Sequence, residues 1–360
     1  MNAFPYLTVL TMLPLACAVM ILGLGDEQKR YIRPLAIVAS LVGLAATILI
    51  WLRFDAAQGG MQLVERAAWV ESLGIEYHLG VDGLGLVMLL LSALIIPFAL
   101  VTTSGFERSS KLYAVLMLLT EAALFGVFTA QNFFHWFLFW ELSLIPAFFL
   151  IKMRGGAPRR RAAFQFLVFT LVGSVTMLLA FVAIYAATGI FDFGQLADLG
   201  RSGELSSALF AKLGGGIFKS KRILETLIFL GVFLGFAVKV PLIPFHTWLP
   251  SAYAEAPTGT SMVLSGAMSK MGVYGFLRIL LPIFPEQMRA FLTPLLWLAV
   301  ATIIFSAAAA FAQKDLKRIV AYSSISQVTW AIACWEFSLR PASPARGWRG
   351  ALKNVRRSME

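Results

Sequence analysis

Apolar residues in this chain run in long, nearly uninterrupted blocks that are set apart by short polar turns. Ten such blocks lie near residues 4–24, 31–53, 83–104, 111–130, 132–152, 163–187, 223–251, 257–282, 289–312 and 316–337. All but the seventh are about as long as a bilayer-spanning helix needs to be. Two longer polar stretches, 54–82 and 188–222, precede the third and seventh blocks, the second of them containing Gly214, Gly215 and Gly216. The pattern predicts an all-α polytopic membrane protein of about ten transmembrane helices. A basic, proline-containing tail over residues 338–360 has no helical period.

The seventh and eighth blocks break the pattern from inside. In the seventh, Lys239 stands two residues before Pro241, with Pro244 and Pro250 following. Proline has no amide hydrogen, so Pro241 and Pro244 leave the carbonyls of Ala237 and Val240 without their helical partners. Broken backbone survives at membrane depth only where protein or a water-filled cavity satisfies it. In the eighth block Lys270 lies near the middle, beside Ser261, Ser265 and Ser269, which recur every four residues along one side. A lysine at bilayer centre costs about 2.5 kcal/mol or more, so two in neighbouring helices call for a function. Proton movement between buried bases is one.

Composition strengthens the membrane reading. Of 360 residues, 59% are hydrophobic and 14% charged, against about 45–50% and about 25% in soluble domains. The net charge of +11 does not mark a nucleic-acid binder, because the basic residues sit in short clusters at the ends of apolar blocks. Thirteen of them fall in the turns after blocks 1, 3, 5 and 9: Lys29, Arg30, Arg33, Arg108, Lys111, Lys152, Arg154, Arg159, Arg160, Arg161, Lys314, Lys317 and Arg318. The opposite short turns hold Arg289, with Arg278 near a helix end. The positive-inside rule then places the N-terminus outside. The first block lacks a basic leader and a small-residue cleavage site, and reads as a retained helix. Cys17 and Cys334 lie far apart in apolar stretches and form neither a disulfide framework nor a metal spacing.

Two carboxylates complete the set of misplaced charges. Glu141 lies near the middle of the fifth block, with Pro146 freeing the carbonyl of Leu142, and Glu121 lies in the middle of the fourth. An isolated carboxylate in hydrocarbon is better neutral, whereas one beside a lysine stays ionised, so a buried Glu–Lys pair is a switch that a passing proton can throw. Each candidate also has a structural reading. Glu141 could neutralise a structural lysine, Glu121 could be a protonated packing residue, and His246, just after the break, could be a satisfied buried histidine. His78 and His135 read as interface residues without chemistry, and Asp82 as the residue that starts the third helix. The phenylalanines and tryptophans read as packing or lipid-facing groups. There is no glycine-rich phosphate loop and no Cys/His cluster, so redox chemistry and cofactors are not expected in this chain.

Four stretches carry a family resemblance: EAALFGVFTAQNFFHWFLFWELSLIPAFFLI, FAVKVPLIPFHTWLP, EAPTGTSMVLSGAMSKMGVYGFLRI and QKDLKRIVAYSSIS. They resemble the M-type antiporter-like subunits of proton-pumping NADH:quinone oxidoreductase (respiratory complex I), from about residue 75 to 327. Subunits of multisubunit cation/proton antiporters and membrane-bound hydrogenases share mainly the lysine blocks, and remain the alternative. The resemblance implies two inverted five-helix repeats, each with a broken helix. Residues 1–110 would hold helices 1–3, 111–282 the first repeat, 289–337 the start of the second, and 338–360 a tail unlike the family. By motif, Glu141 matches the glutamate that pairs with the broken-helix lysine, Lys239. Lys270 matches the lysine that passes protons onward, Glu121 the helix-4 glutamate, and His246 the histidine after the break. The resemblance further implies a bacterial inner-membrane location, L- and N-type subunits and lipid as partners, no nucleic acid, and NADH, flavin, iron–sulfur centres and quinone held by other subunits. Gln327 stands where the family has a histidine. The arginine-rich tail is expected to mark a truncation or frame shift that leaves the second repeat incomplete, and a non-functional truncated product stands as a further alternative.

Overall fold

The computed structural model describes residues 4–103, 110–153, 158–214 and 220–338. Arg108, Arg154, Gly215, Gly216 and the tail from 339 onward lie outside the described residues, as does the side chain of Cys334. The chain begins with α1 (Tyr6–Gly23) and α2 (Lys29–Arg53), followed by a two-stranded antiparallel hairpin, β1 (Gln62–Val70) and β2 (Ile75–Val81). Next come α3 (Gly83–Thr102), α4 (Ser110–Thr129), α5 (Phe133–Met153) and α6 (Arg159–Thr188). Two short helices, α7 (Phe193–Ser202) and α8 (Glu204–Leu213), lead into α9 (Lys221–Lys239) and, across a break, α10 (Trp248–Glu255).

Seven described helices, α1 to α6 and α14 (Pro285–Phe311), are long and apolar enough to cross a membrane. The other three predicted blocks are helical without joining that group. The seventh divides into α9 and α10. The eighth is one run made of α11 (Thr258–Val263), α12 (Ser269–Gly275) and α13 (Leu281–Ile283), joined by wide π-turns at Leu264–Met268 and Phe276–Leu280. The tenth, α15 (Leu316–Ser338), opens with Lys317 and Arg318 and carries Ser323, Ser324 and Gln327.

The most enclosed helix is α4, which packs against α1, α2, α3 and α5. Its sequence is apolar on most sides, with Thr120 and Glu121 as buried exceptions, as befits a helix enclosed by others. A second layer pairs α6 with α9. There Gly235 lets the helices close up, because a Cβ at that position would lie 2.7 Å from the Met177 Cβ. Small residues at helix crossings are what membrane bundles use in place of a hydrophobic driving force.

The two ends of the bundle differ in chemistry. At one end, basic side chains cap helix C-termini: Lys111 Nζ donates to the Leu24 carbonyl at 2.7 Å, Arg33 to the Val101 carbonyl at 2.7 Å and Lys317 to the Ala256 carbonyl at 2.9 Å. Cations at helix C-termini gain about 0.3–1 kcal/mol each. Three of the clustered basic residues thus close helices.

The other end carries the hairpin, which a polar reading of 54–82 did not foresee. Glu65 on β1 accepts the amides of Leu7 and Thr8 at 2.7 and 3.0 Å, capping α1 where Pro5 cannot. The polar stretch 188–222 likewise turns out to be largely helical, burying Phe193, Leu196, Leu205 and Leu209.

Candidate functional site

The break between α9 and α10 positions Lys239 as the last residue of its helix, where the C-terminal carbonyls favour a cation. The loss of partners at the prolines is largely repaired. The Ala237 carbonyl, which Pro241 cannot serve, accepts the Leu242 amide at 3.0 Å. The Val238 carbonyl accepts the Trp248 indole N–H at 3.0 Å, and Thr302 of α14 accepts the Ile243 amide at 3.2 Å. Protein groups thus satisfy the Ala237 and Val238 carbonyls and the Ile243 amide, as membrane depth requires of broken backbone.

Lys239 is 3% exposed, with Nζ 5.1 Å from the centre of the Trp140 ring and 5.9 Å from that of Phe166. Trp140 is held in place by its own N–H, which donates to Ser174 at 3.0 Å, and by stacking on Trp136 at 4.7 Å. Phe236, one turn before the lysine, stands edge-on to both indoles. Trp140 thus does more than pack. Its ring face offers the ammonium a cation–π partner inside a wall of hydrocarbon.

Glu141 follows Trp140 on α5, and its charge is felt at Lys239. Among the described residues no direct ion pair joins the two, and one carboxylate oxygen of Glu141 has no hydrogen-bond partner. The pair is coupled through space and remains open.

Lys270 rides on α12, and α12 passes close against the break. A Cβ on Gly272 would lie 3.0 Å from the Val240 amide nitrogen, and one on Gly275 would lie 2.1 Å from the Phe236 ring. Glycine at both positions lets the helix carrying one lysine touch the segment carrying the other. The serine stripe beside Lys270 is spent on backbone: Ser261 donates to the Tyr253 carbonyl at 2.9 Å and Ser269 to the Ser265 carbonyl at 3.0 Å. Such back-bonding loosens helices, and π-turns flank Lys270 on both sides. The Lys270 ammonium donates to the Ser265 carbonyl. Its side chain lines a cavity of about 170 Å³ with Tyr274, Leu84, Met88 and Gln327.

Among the described residues, the remaining predicted residues make no hydrogen bond to either lysine. Glu121 is fully buried in α4, next to Gly43 of α2 and within electrostatic reach of Cys17 on α1, and among the described residues neither of its oxygens has a hydrogen-bond partner. His246 is buried edge-on to Phe305 at 5.3 Å, and among the described residues its Nδ1 has no partner.

Two histidines read as plain interface residues are more engaged than that. His135 is buried between Tyr77 and Phe139. His78 forms a buried 2.6 Å ion pair with Asp192, which also caps α7 by accepting the Gln195 amide at 3.0 Å. Burial alone would raise the Asp192 carboxyl. The hydrogen bonds from His78 and Gln195, with the charges of His78 and Arg66, outweigh it and hold the group below its ordinary value. Asp82 does start α3, accepting the Gly85 amide at 2.7 Å.

Residues 130–338 match the family model described as NADH:quinone oxidoreductase/Mrp antiporter, transmembrane. NADH-quinone oxidoreductase subunit M of Rhodobacter capsulatus is 37% identical over 327 residues, an alignment covering 89% of this chain and 62% of that protein. A chain of respiratory complex I from Thermus thermophilus superposes with a TM-score of 0.72 at 28% identity, covering 90% of this chain and 63% of that one. A chain of an archaeal membrane-bound sulfane sulfur reductase shares the fold, with a TM-score of 0.77 at 23% identity and coverage of 92% and 64%. The chain spans about three-fifths of the length of the curated relatives it matches. With its lysine-bearing break, its glycine-seated second lysine and these matches, the chain belongs to the transmembrane family of NADH:quinone oxidoreductase and Mrp antiporter subunits.

Proposed function

We propose that this chain acts as the M-type proton-translocating membrane subunit of NADH:quinone oxidoreductase, with electron transfer from NADH to quinone carried out in other subunits. The observation that carries the reading is Lys239, an amine sealed at a helix break under Trp140 and within the field of Glu141. A proton resides on Lys239 while Glu141 is ionised and attracts the ammonium. When Glu141 is neutralised or moves away, the ammonium loses that support in a low-dielectric site and gives up its proton. Lys270, on the helix that touches the break, is the onward acceptor, and His246 serves the water path between them. Glu121 receives charge from the side of α1 and α2.

In this reading residues 111–282 form the first inverted repeat and 289–337 open the second, which places the transport site at a repeat interface. The basic, lysine-capped end faces the bacterial cytoplasm and the N-terminus faces outward. L- and N-type subunits are the neighbours, and flavin and iron–sulfur centres belong to other chains.

The test is Lys239→Met in membrane vesicles bearing the assembled complex, with NADH oxidation and proton uptake followed together. Loss of proton uptake with the complex still assembled is expected. Uptake at the normal proton-to-electron ratio would overturn the assignment. Uptake driven by a sodium gradient without NADH would favour a cation/proton antiporter instead.

A further inference from the structure

Gln131, in the turn between α4 and α5, uses every hydrogen-bonding group it has. Its amide donates to the His78 carbonyl of β2 at 2.9 Å, and its carbonyl accepts the Phe193 amide at the start of α7 at 2.9 Å. Its side-chain nitrogen donates to the Gly80 carbonyl of β2 at 3.1 Å, and its side-chain oxygen accepts Arg278 Nη2 at 3.0 Å. The residue is 4% exposed, so each of these bonds is made away from bulk water and is costly to lose.

Arg278 is the point at which this node reaches the relay. It belongs to the π-turn Phe276–Leu280 that closes the Lys270 segment, and it also forms a 3.5 Å ion pair with Asp82, the N-cap of α3. One turn earlier, the Tyr274 hydroxyl donates to the Phe128 carbonyl of α4 at 3.4 Å, and the Tyr274 ring lines the Lys270 cavity. The first π-turn, Leu264–Met268, supplies the Ser265 carbonyl that holds the Lys270 ammonium. Lys270 therefore sits on a short α-helical stretch between two wide turns, one of which Arg278 pins to α3 through Asp82 and to the hairpin and α7 through Gln131. Wide turns are where a helix rotates most readily, and a pin on one of them fixes where the intervening side chain points.

We propose that Gln131 is a positioning residue for proton transfer. Through Arg278, which Asp82 also holds, it sets the rotation of the Lys270 helix and makes that rotation responsive to the β1–β2 hairpin. The inference rests on Lys270 being a relay group. Movement of the hairpin shifts Gly80 and His78, Gln131 follows, and Arg278 carries the shift into the π-turn below Lys270.

The experiment compares Gln131→Ala, Arg278→Ala, the double variant and Lys270→Ala in membrane vesicles bearing the assembled complex. Protons taken up per NADH oxidised are measured across a pH series. With Gln131→Ala we expect a fall of at least threefold in that ratio and a displaced pH profile, with NADH oxidation by the assembled complex retained. The double variant should be no worse than Arg278→Ala, because both cut one connection. Gln131→Glu, which keeps the acceptor facing Arg278, should recover more of the ratio than Gln131→Leu. A normal ratio and unmoved profile in Gln131→Ala, with pumping lost in Lys270→Ala, would overturn this inference alone. A normal ratio in Lys270→Ala would overturn the relay reading together with it. Loss of assembly with an unchanged ratio in the complexes that form would reduce Gln131 to a structural role and overturn the proposal.

Discussion

The two buried lysines are held in opposite ways. Lys239 is enclosed by side chains: two aromatic rings face its ammonium, a glutamate acts on it from the next position along α5, and 3% of it is exposed. Lys270 is half-buried, held by a backbone carbonyl and open to a small cavity. The first helix is broken outright by proline and then repaired by Leu242, Trp248 and Thr302. The second is never broken, only widened at two turns. A sealed amine answering to one carboxylate is suited to holding a proton. An amine on a loosened helix beside a cavity is suited to passing one on. What separates the two is which part of the protein, side chain or backbone, answers the ammonium.

That contrast can be tested from its strongest consequence downward. Lys239→Met should stop proton uptake entirely, whereas Lys270→Arg, which keeps a cation able to reach a carbonyl, should leave a measurable part of it. Vesicle uptake assays decide between them, and equal losses would erase the distinction. Gly235→Leu should cost about 1–3 kcal/mol of stability by overpacking the α6–α9 crossing. It would show in the thermal unfolding of the purified complex and would impair Lys239 before Lys270.

Trp140→Leu removes a cation–π contact of about 0.5–2 kcal/mol, so Lys239 should hold its proton roughly 2- to 30-fold less well. The pH dependence of uptake should move accordingly, while a Phe replacement moves it less. Ser269→Ala should change little, by less than about 1 kcal/mol, because the Lys270 ammonium is bound to backbone rather than to that hydroxyl.

The smallest effect at neutral pH concerns the tie between the hairpin and α7. Because the Asp192 carboxyl lies below its ordinary value of 3.8, its contribution is fully present above that value and is lost as pH falls through the lower, folded one. Hydrogen exchange in the hairpin should therefore stay slow down to about pH 4 and quicken only in stronger acid. Asp192→Asn should remove that acid dependence.

Much of the site could be read from residue types alone. Lys239, Lys270, Glu121 and Glu141 stand out because a charge inside an apolar block of bilayer length is costly wherever the helix packs. The prolines marked the break for an equally local reason, the missing amide. The partners were not legible. Trp140 looked like any other aromatic in a chain with nine tryptophans, and only the approach of α9 to α5 sets its ring over the ammonium. Gln131 and Asp192 lie in polar turns where nothing in sequence spacing distinguishes a hub from a solvated loop. Their contacts span 50 to 150 positions, as in the bond from Arg278 to Gln131 with a separation of 147.

Sequence by itself determined the membrane class, the helical blocks, the basic end and the costly charges. These follow from the transfer energetics of each side chain and the local rules of the backbone, which act without knowledge of neighbours. The tertiary structure decided that Glu141 acts on Lys239 with no ion pair between them among the described residues, that α12 lies against the break, that Glu121 faces α1 and α2, and that a hairpin ties the end opposite the basic side chains. Each of these depends on which helix faces cross and how closely, a matter of packing shape between distant segments.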